Sequence, residues 1–229
     1  MGVEQFALFM RHHIKSTGQL MSLADFKGQT LAIDASNFIY RNIIATMSVG
    51  KNKETGEKRV RVLTDNEGTK TGHIMNGIHF VEKMRGLGIQ SVWVFDGKAY
   101  DLKQRTRDQR RTIKELAEES YEIAIKEGNV LDALKYRKRS TRWGGKEVED
   151  MKKMLQMLGC ITLDAEAESD ELLALLSRHN QIDHVFSEDF DMLAYGVNSL
   201  IRRSRNRESG KGKLSSNQRI RRLRHQEDP

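Results

Sequence analysis

The chain has 229 residues, 38% of them hydrophobic and 31% charged, enough apolar material for one sizeable core. Its formal charge is +7, but residues 202–229 hold eight Arg and two Lys against three acids; residues 1–201 therefore sum to zero, and any nucleic-acid argument for the body rests on charge distribution. A single cysteine, Cys160, excludes an intramolecular disulfide and a cysteine-rich zinc site and fits a reducing compartment; no apolar run approaches a membrane span, Met1–Gln19 lacks the pattern of a secretory leader, and a soluble intracellular protein is expected.

In chain order, Val3–Met10 reads as a short amphipathic segment, followed by polar linker through Gly28. Thr30–Ile33 is a short buried strand ending on Asp34, and Phe38, Ile39, Ile43 and Ile44 mark a helix over Asn37–Ala45. Met47–Lys70 is polar, charged and glycine-containing, which predicts a mobile loop or a small helical excursion. A helix over Ile74–Leu87, stopped by Gly86 and Gly88, leads to the strand Ser91–Phe95, which ends on Asp96. From Leu102 the pattern is helical and basic. Lys103, Arg107, Arg110 and Lys114 share one helix face without an acid among them, a stripe that suits a phosphate backbone better than a merely solvated surface. A second cluster, Lys135, Arg137, Lys138, Arg139 and Arg142, is interleaved with Tyr136 and Trp143, which can stack on bases or simply pack. Then come an amphipathic helix from Val148 to Leu158, a strand at Cys160–Leu163, a helix from Asp170, a strand at His184–Phe186 and a fifth strand at Leu200–Ile201. Strands alternating with helices predict an α/β fold with a mainly parallel central sheet covered by helices on both faces.

The acids of this frame are the chemical signal. Taken singly, Asp34 reads as a helix N-cap, Asp96-Gly97 as a turn dipeptide, and Glu168 and Asp170 as favourable charges at a helix start. Together, Asp34, Asp96, Glu168, Asp170, Asp189 and Asp191 all fall just past the C-terminal ends of apolar strands, where open α/β sheets build their sites. Such a cluster repels itself unless cations neutralise it, which points to Mg²⁺ or Mn²⁺. Acids that gather cations, with basic helices nearby, suit phosphodiester hydrolysis by two metals.

Several motifs then carry a resemblance: Met1-Gly2-Val3; Ile33-Asp34-Ala35-Ser36 with Tyr40; Val94-Phe95-Asp96-Gly97-Lys98; Leu163-Asp164-Ala165 followed by Glu168-Ser169-Asp170; and Ser187-Glu188-Asp189-Phe190-Asp191-Met192-Leu193. From Met1 to about Arg203 the chain resembles the flap endonuclease family of structure-specific 5′ nucleases. The resemblance implies a PIN-like nuclease domain over 1–203, with a helical arch at about 100–146, and leaves 204–229 as a basic, disordered tail. It implies two Mg²⁺ ions, replaceable by Mn²⁺: one held by Asp34, Asp96, Glu168 and Asp170, the other by Asp189 and Asp191. Lys103 and Arg110 would steady the scissile phosphate, Tyr40 would stack on the base beside the cut, Gly2 would bring its amine near the site, and Arg107 and Lys114 extend the DNA-binding stripe. The substrates implied are flapped or branched DNA or a 5′-ended duplex, in replication or repair, with a nuclear location if the organism is eukaryotic.

The sequence also departs from the family. Asp96-Gly97-Lys98 is followed by Ala99-Tyr100 where the family has two prolines, and Glu166 replaces a proline before the acidic pair. A glycine-containing Asp-Tyr motif carrying a seventh acid, the helix-two-turn-helix module that grips duplex, and the sliding-clamp peptide have no counterpart. A protein partner supplying the duplex grip is one expectation. Arg219–Arg224 reads as a phosphate clamp, a nuclear localisation signal or a solvated tail. Two alternatives stay open beside a nuclease: a truncated family member that binds DNA junctions but cuts poorly, and an acid-cluster ribonuclease. A dinucleotide-binding fold is disfavoured, because no glycine-rich loop follows Thr30–Ile33.

Overall fold

The computed structural model describes residues 19–52, 55–98, 104–203 and 219–224, with 104–107 and 219–224 described by their backbone alone. The amphipathic segment expected at Val3–Met10 lies outside these residues. Strand β1 (Gln19–Ser22) runs into a 3₁₀ turn, Leu23–Phe26. Ser22 Oγ accepts from the Ala24 N–H at 3.3 Å and the Asp25 carboxylate accepts from the Ser22 N–H at 2.8 Å, while Leu23 and Phe26 are buried. The stretch expected to be polar linker is thus an anchored turn, fixed by reciprocal capping and two apolar side chains.

Strand β2 (Thr30–Asp34) and helix α1 (Ala35–Ala45) follow. Next comes a two-stranded ribbon, β3 (Ser48–Lys51) and β4 (Lys58–Arg61), where a mobile loop or helical excursion was expected. Helix α2 (Gly72–Gly86), strand β5 (Gln90–Phe95), and helices α3 (Gln104–Lys126), α4 (Val130–Ser140) and α5 (Gly145–Met157) match the expected sequence of elements. The remainder is β6 (Ile161–Asp164), α6 (Ser169–Arg178), β7 (His184–Phe186), the short α7 (Asp191–Ala194), β8 (Ser199–Arg203) and β9 (Arg219–Arg224). The last strand corrects the expectation that everything beyond residue 203 is disordered tail. Among the described residues no helix is long and apolar enough to cross a membrane.

The chain divides into two compact units, one of residues 1–37, 79–99 and 156–229 and the other of residues 38–78 and 100–155. The first unit is a seven-stranded sheet in the order β1-β9-β8-β7-β2-β5-β6. β8, β7, β2, β5 and β6 run parallel, whereas β9 is antiparallel to both β8 and β1. The chain moves outward from β2 through β5 to β6 and then returns to the opposite side of β2 with β7. The order therefore reverses between β2 and β7, and their C-terminal ends form the crevice in which such sheets place ligands.

Period-two alternation sorts the sheet's side chains onto two faces. Ala32, Val92, Val94, Val185 and Leu200 pack with Leu173 and Ala174 of α6 and with Met192 and Leu193 of α7. Trp93 points the other way, where Phe80 of α2 meets it edge-on at 5.8 Å between ring centroids and meets Phe186 at 5.3 Å. Helices on both faces explain why the strands are nearly continuous in apolar residues. His184 is a satisfied core histidine: its Nδ1 lies 2.8 Å from Ser199 Oγ and its Nε2 2.7 Å from Gln29 Oε1.

In the second unit, α3 and α4 form a helical hairpin whose turn is set by Asn129, its side-chain oxygen accepting from the Asp132 N–H at 3.2 Å. Ala117, Ala124 and Ala133 are buried, so small side chains line the inner faces of this pair. His73 is fully buried and its Nε2 lies 3.1 Å from the Glu147 carbonyl; burial keeps the imidazole below its ordinary pKa and hence neutral. Glu147 accepts from the Gly144 N–H at 2.9 Å and from Lys70 Nζ at 3.4 Å, which closes the start of α5 onto the segment before α2.

Candidate active site

The candidate site is built in the first unit, on the C-terminal ends of β2, β5, β6 and β7. Asp34 is the last residue of β2 and caps α1: its Oδ1 accepts from the Asn37 N–H at 3.0 Å. The helix-cap role expected from the sequence is real, and it leaves Oδ2 to accept from Ser187 Oγ at 3.1 Å. That hydroxyl in turn accepts from the Asp189 N–H at 3.1 Å, and Asp189 Oδ1 accepts from the Asp191 N–H at 3.0 Å. One serine thus links the end of β2 to the loop after β7. Arg202 of β8 holds the same loop from outside, with Nη2 donating to the Glu188 carbonyl at 2.5 Å and the guanidinium 3.6 Å from the Phe190 ring centroid.

The β5 and β6 ends are knitted together in the same way. Asp96 Oδ1 accepts from the Ser169 N–H at 2.8 Å, at the first turn of α6. The Gly97 N–H donates to the Ala167 carbonyl at 2.6 Å and the Lys98 N–H to the Glu166 carbonyl at 3.2 Å. A Cβ at Gly97 would strike the Ala165 and Glu166 carbonyl oxygens, so glycine is required here by close backbone approach as much as by any turn. Glu168, the N-cap residue of α6, makes no side-chain cap bond, and Asp170 sits one residue inside the helix.

These placements bring five acids into mutual influence. Asp170 is pushed up to about 7 by burial and then by Asp34, Asp189, Asp96 and Glu168. Asp34 is pushed up to about 6 by burial, with Asp96 and Asp189 adding to it against the lowering effect of the Asn37 and Ser187 hydrogen bonds. Burial and like charge act in one direction, the arrangement found where carboxylates share a site. Asp191 is nearby in sequence but buried at the head of α7, and it is absent from the leading influences on either carboxyl.

The residues fit a hard divalent cation. Every donor is a carboxylate oxygen, and the largest charges acting on Asp170 are negative. Among the described residues no three His, Cys, Asp or Glu side chains already close on one point.

The remaining expected site residues belong to the second unit or lie outside the described residues. Gly2 and Lys103 lie outside. Arg107 is on α3, and its side chain is not described. Arg110 is exposed on α3, and Lys114 on the same helix lies 5.9 Å from the Tyr40 ring centroid. Burial, then Arg142 and Arg110, hold the Lys114 ammonium below its ordinary value. Much of the second basic cluster is engaged within the unit: Arg137 pairs with Glu118 at 2.8 Å, Lys135 with Asp132 at 3.8 Å and Arg142 with Glu115 at 3.7 Å. Sequence reasoning missed Ser187, Arg202 and the packing role of Gly97. Only Ser187 carried a signal, a hydroxyl two residues before an acid, the spacing of a local side-chain-to-backbone turn.

Comparison with known proteins bears on the family and the fold. The family model for the XPG N-terminal domain matches residues 1–117, and that for the XPG I-region matches residues 159–227. The second match extends through β9, beyond the limit near Arg203 expected from the motifs. Flap endonuclease 1-2 of Paramecium tetraurelia is 33% identical over 202 residues, 88% of this chain and 50% of that protein. Flap endonuclease 1 of Methanococcus aeolicus is 32% identical over 184 residues, 80% of this chain and 53% of that protein. The chain therefore spans about half the length of these curated relatives. Among solved structures, flap endonuclease-1 from Methanococcus jannaschii is similar at a TM-score of 0.57 and 26% identity, covering 94% of this chain and 62% of the other. The catalytic core of Rad2 in complex with DNA substrate shares the fold at a TM-score of 0.60, with 19% identity and 96% and 54% coverage.

Proposed function

This chain belongs to the XPG and flap endonuclease family, and we propose that it is a metal-dependent structure-specific 5′ nuclease that hydrolyses phosphodiester bonds in flapped or branched DNA. The observation that carries the reading is the gathering of Asp34, Asp96, Glu168, Asp170 and Asp189 at the C-terminal edge of the sheet around the β2/β7 switch point, with Asp34 raised to about 6 by burial, Asp96 and Asp189, and Asp170 to about 7 by burial and the other four acids. Asp34, Asp96, Glu168 and Asp170 would hold one Mg²⁺, and Asp189 and Asp191 a second. Bound there, the two ions would supply an activated water and neutralise the leaving oxygen.

The chain's own residues do the positioning. Asp34 is held at Oδ1 by the Asn37 N–H and at Oδ2 by Ser187 Oγ, Asp96 at Oδ1 by the Ser169 N–H, and Asp189 at Oδ1 by the Asp191 N–H, so each carboxylate is oriented by neutral donors that leave its charge for a cation. In this reading Lys103 and Arg110 steady the scissile phosphate, Tyr40 offers a stacking face, Gly2 brings its amine near the site, and Arg107 and Lys114 track the backbone. A DNA-junction binder that cuts poorly is the second reading.

One experiment separates the two: cleavage of a 5′-labelled flap substrate in Mg²⁺, with a chelated control and an Asp189→Ala variant. Cutting near the junction that needs both metal and Asp189 is the expected result. Tight binding with no metal-dependent product from the unmodified chain would refute the nuclease reading in favour of the binder.

A further inference from the structure

The β3–β4 ribbon of the second unit has a charge pattern that folding alone does not explain. Its register places Ser48 opposite Arg61, Val49 opposite Val60, Gly50 opposite Arg59 and Lys51 opposite Lys58. Opposed residues share a face, so Val49, Val60, Lys51 and Lys58 lie on one side and Ser48, Gly50, Arg59 and Arg61 on the other. Four of the eight strand residues are cations and none is an acid. Lys51, Lys58, Arg59 and Arg61 are all exposed. Like charges directly opposite one another destabilise an antiparallel pair, and Lys51 faces Lys58 with no described carboxylate between them.

The other face is arranged around an arginine. Gly50 is the only strand residue without a side chain, and a Cβ there would collide with Cδ, Nε and Cζ of Arg61. The Arg61 side chain therefore lies across the ribbon in the space that Gly50 leaves, and its Nη2 donates to the Lys51 carbonyl. One guanidinium is held flat on an exposed surface beside a second, Arg59, two residues away along the same strand. Their Cα separation along the strand is about 6.6 Å, twice the rise of roughly 3.3 Å. It is also close to twice the axial spacing of about 3.4 Å between phosphates on one DNA strand.

We propose that this ribbon is a duplex-DNA grip, binding the phosphate backbone through Lys51, Lys58, Arg59 and Arg61. A two-stranded ribbon is narrow enough to enter the major groove, and exposed cations on both its faces would then meet phosphates on either side. The inference rests on the nuclease reading for the identity of the anion. It assigns to this chain a contact otherwise expected from a partner protein.

The test uses the full chain, a 20-base-pair duplex and EDTA to prevent cutting, with Kd measured from 50 to 200 mM salt. The variant K51Q/K58Q removes two cations that repel each other, so its melting temperature should equal or exceed that of the parent. Its plot of log K against log salt should be shallower by about 1.8, at about 0.9 per lost contact. Over that fourfold salt range, affinity should therefore fall about tenfold less than for the parent chain. R59A/R61A should lose a similar slope, and R59K/R61K should keep it. In Mg²⁺, K51Q/K58Q should need a higher flap-substrate concentration than the parent chain for half-maximal cleavage. Unchanged slopes in both neutralising variants, a preference for single strand that they do not alter, or no duplex binding by the parent chain would each overturn the proposal. Loss of slope in a chain that binds duplex yet shows no Asp189-dependent cleavage would support the grip and sink only the nuclease reading.

Discussion

Replacing Asp170 by Asn tests the acid cluster without needing any catalytic assay. The carboxyl is pushed up to about 7 from its ordinary 3.8, chiefly by burial and then by Asp34, Asp189, Asp96 and Glu168. The folded chain therefore keeps a proton that the unfolded chain has released between about pH 4 and pH 7, so stability falls as pH rises through that window. A difference of about three pKa units corresponds to about 4 kcal/mol, as an upper figure, because Asp34 shares the same repulsion and the two effects do not add. Asn keeps the shape and drops the charge. In EDTA at pH 8 the variant should be more stable than the parent by up to about 4 kcal/mol, or roughly 10 °C in melting temperature for a chain of this size. At pH 4 the two should melt together. Thermal melts followed by circular dichroism at both pH values, with and without Mg²⁺, give all four numbers. Mg²⁺ should raise the parent's melting temperature at pH 8 more than the variant's. A variant that melts at or below the parent in EDTA at pH 8, or that keeps the same advantage at pH 4, would show that the acids do not repel one another as described.

Three further outcomes follow from the packing. Gly97→Ala should displace the segment carrying Glu168 and Asp170 relative to Asp96, costing about 1–3 kcal/mol in urea unfolding and on the order of 10²-fold in metal-dependent cleavage; a loss below about 0.5 kcal/mol with full activity would return Gly97 to a simple turn role. Leu173→Ala, at a fully buried position between α6 and the sheet, should cost roughly 2–5 kcal/mol by the same measurement, with no change in metal dependence. Burial opposes ionisation of Glu147, but the N–H groups of Gly144 and Glu147 and the Lys70 ammonium outweigh it and hold the carboxyl below its ordinary 4.5. Its folded-state value is depressed, so its contribution is present above pH 4.5 and lost as pH falls through the lower folded value; Glu147→Gln should cost about 1–2 kcal/mol at pH 7 and progressively less as pH falls below 4.5, read from urea midpoints.

What the sequence revealed, and what it hid, divides along the range of the interactions involved. Asp34 and Asp96 were legible because an apolar run of four or five residues, followed by one acid, defines both a buried strand and the end at which it delivers a side chain. The β3–β4 ribbon was hidden because strands of four residues with Lys and Arg at half their positions have no apolar period to detect, and their pairing is settled by a partner seven to thirteen residues away. β9 was hidden for a related reason. Composition alone marks Arg219–Arg224 as solvated tail, whereas the exposed edge of β8 offers its backbone a ladder that no local signal announces. The i, i+2 spacing of Asp189 and Asp191 did not reveal that their surroundings differ: Asp191 starts a helix and is buried there, while Asp189 stays half-exposed beside Ser187.

A cluster that repels itself can persist only if something else fixes its geometry, and backbone N–H donors and one hydroxyl do so here for Asp34, Asp96 and Asp189. The Asn37, Ser169 and Asp191 N–H groups and Ser187 Oγ each hold one oxygen of an acid in place. A lysine or arginine in their position would satisfy the acids electrostatically and compete with any cation. An N–H dipole or a hydroxyl orients a carboxylate without neutralising it. The folded chain therefore carries its acids preorganised and undercompensated, over strands whose residues Leu31, Ala32, Ile33, Val94 and Val185 are fully buried. The stability surrendered at the strand ends is offset by that core, and binding a divalent cation to the folded form alone would recover it. Metal affinity and resistance to unfolding at neutral pH are, on this argument, two readings of one free energy. A variant that relieves the repulsion should gain stability only by losing affinity for the ion.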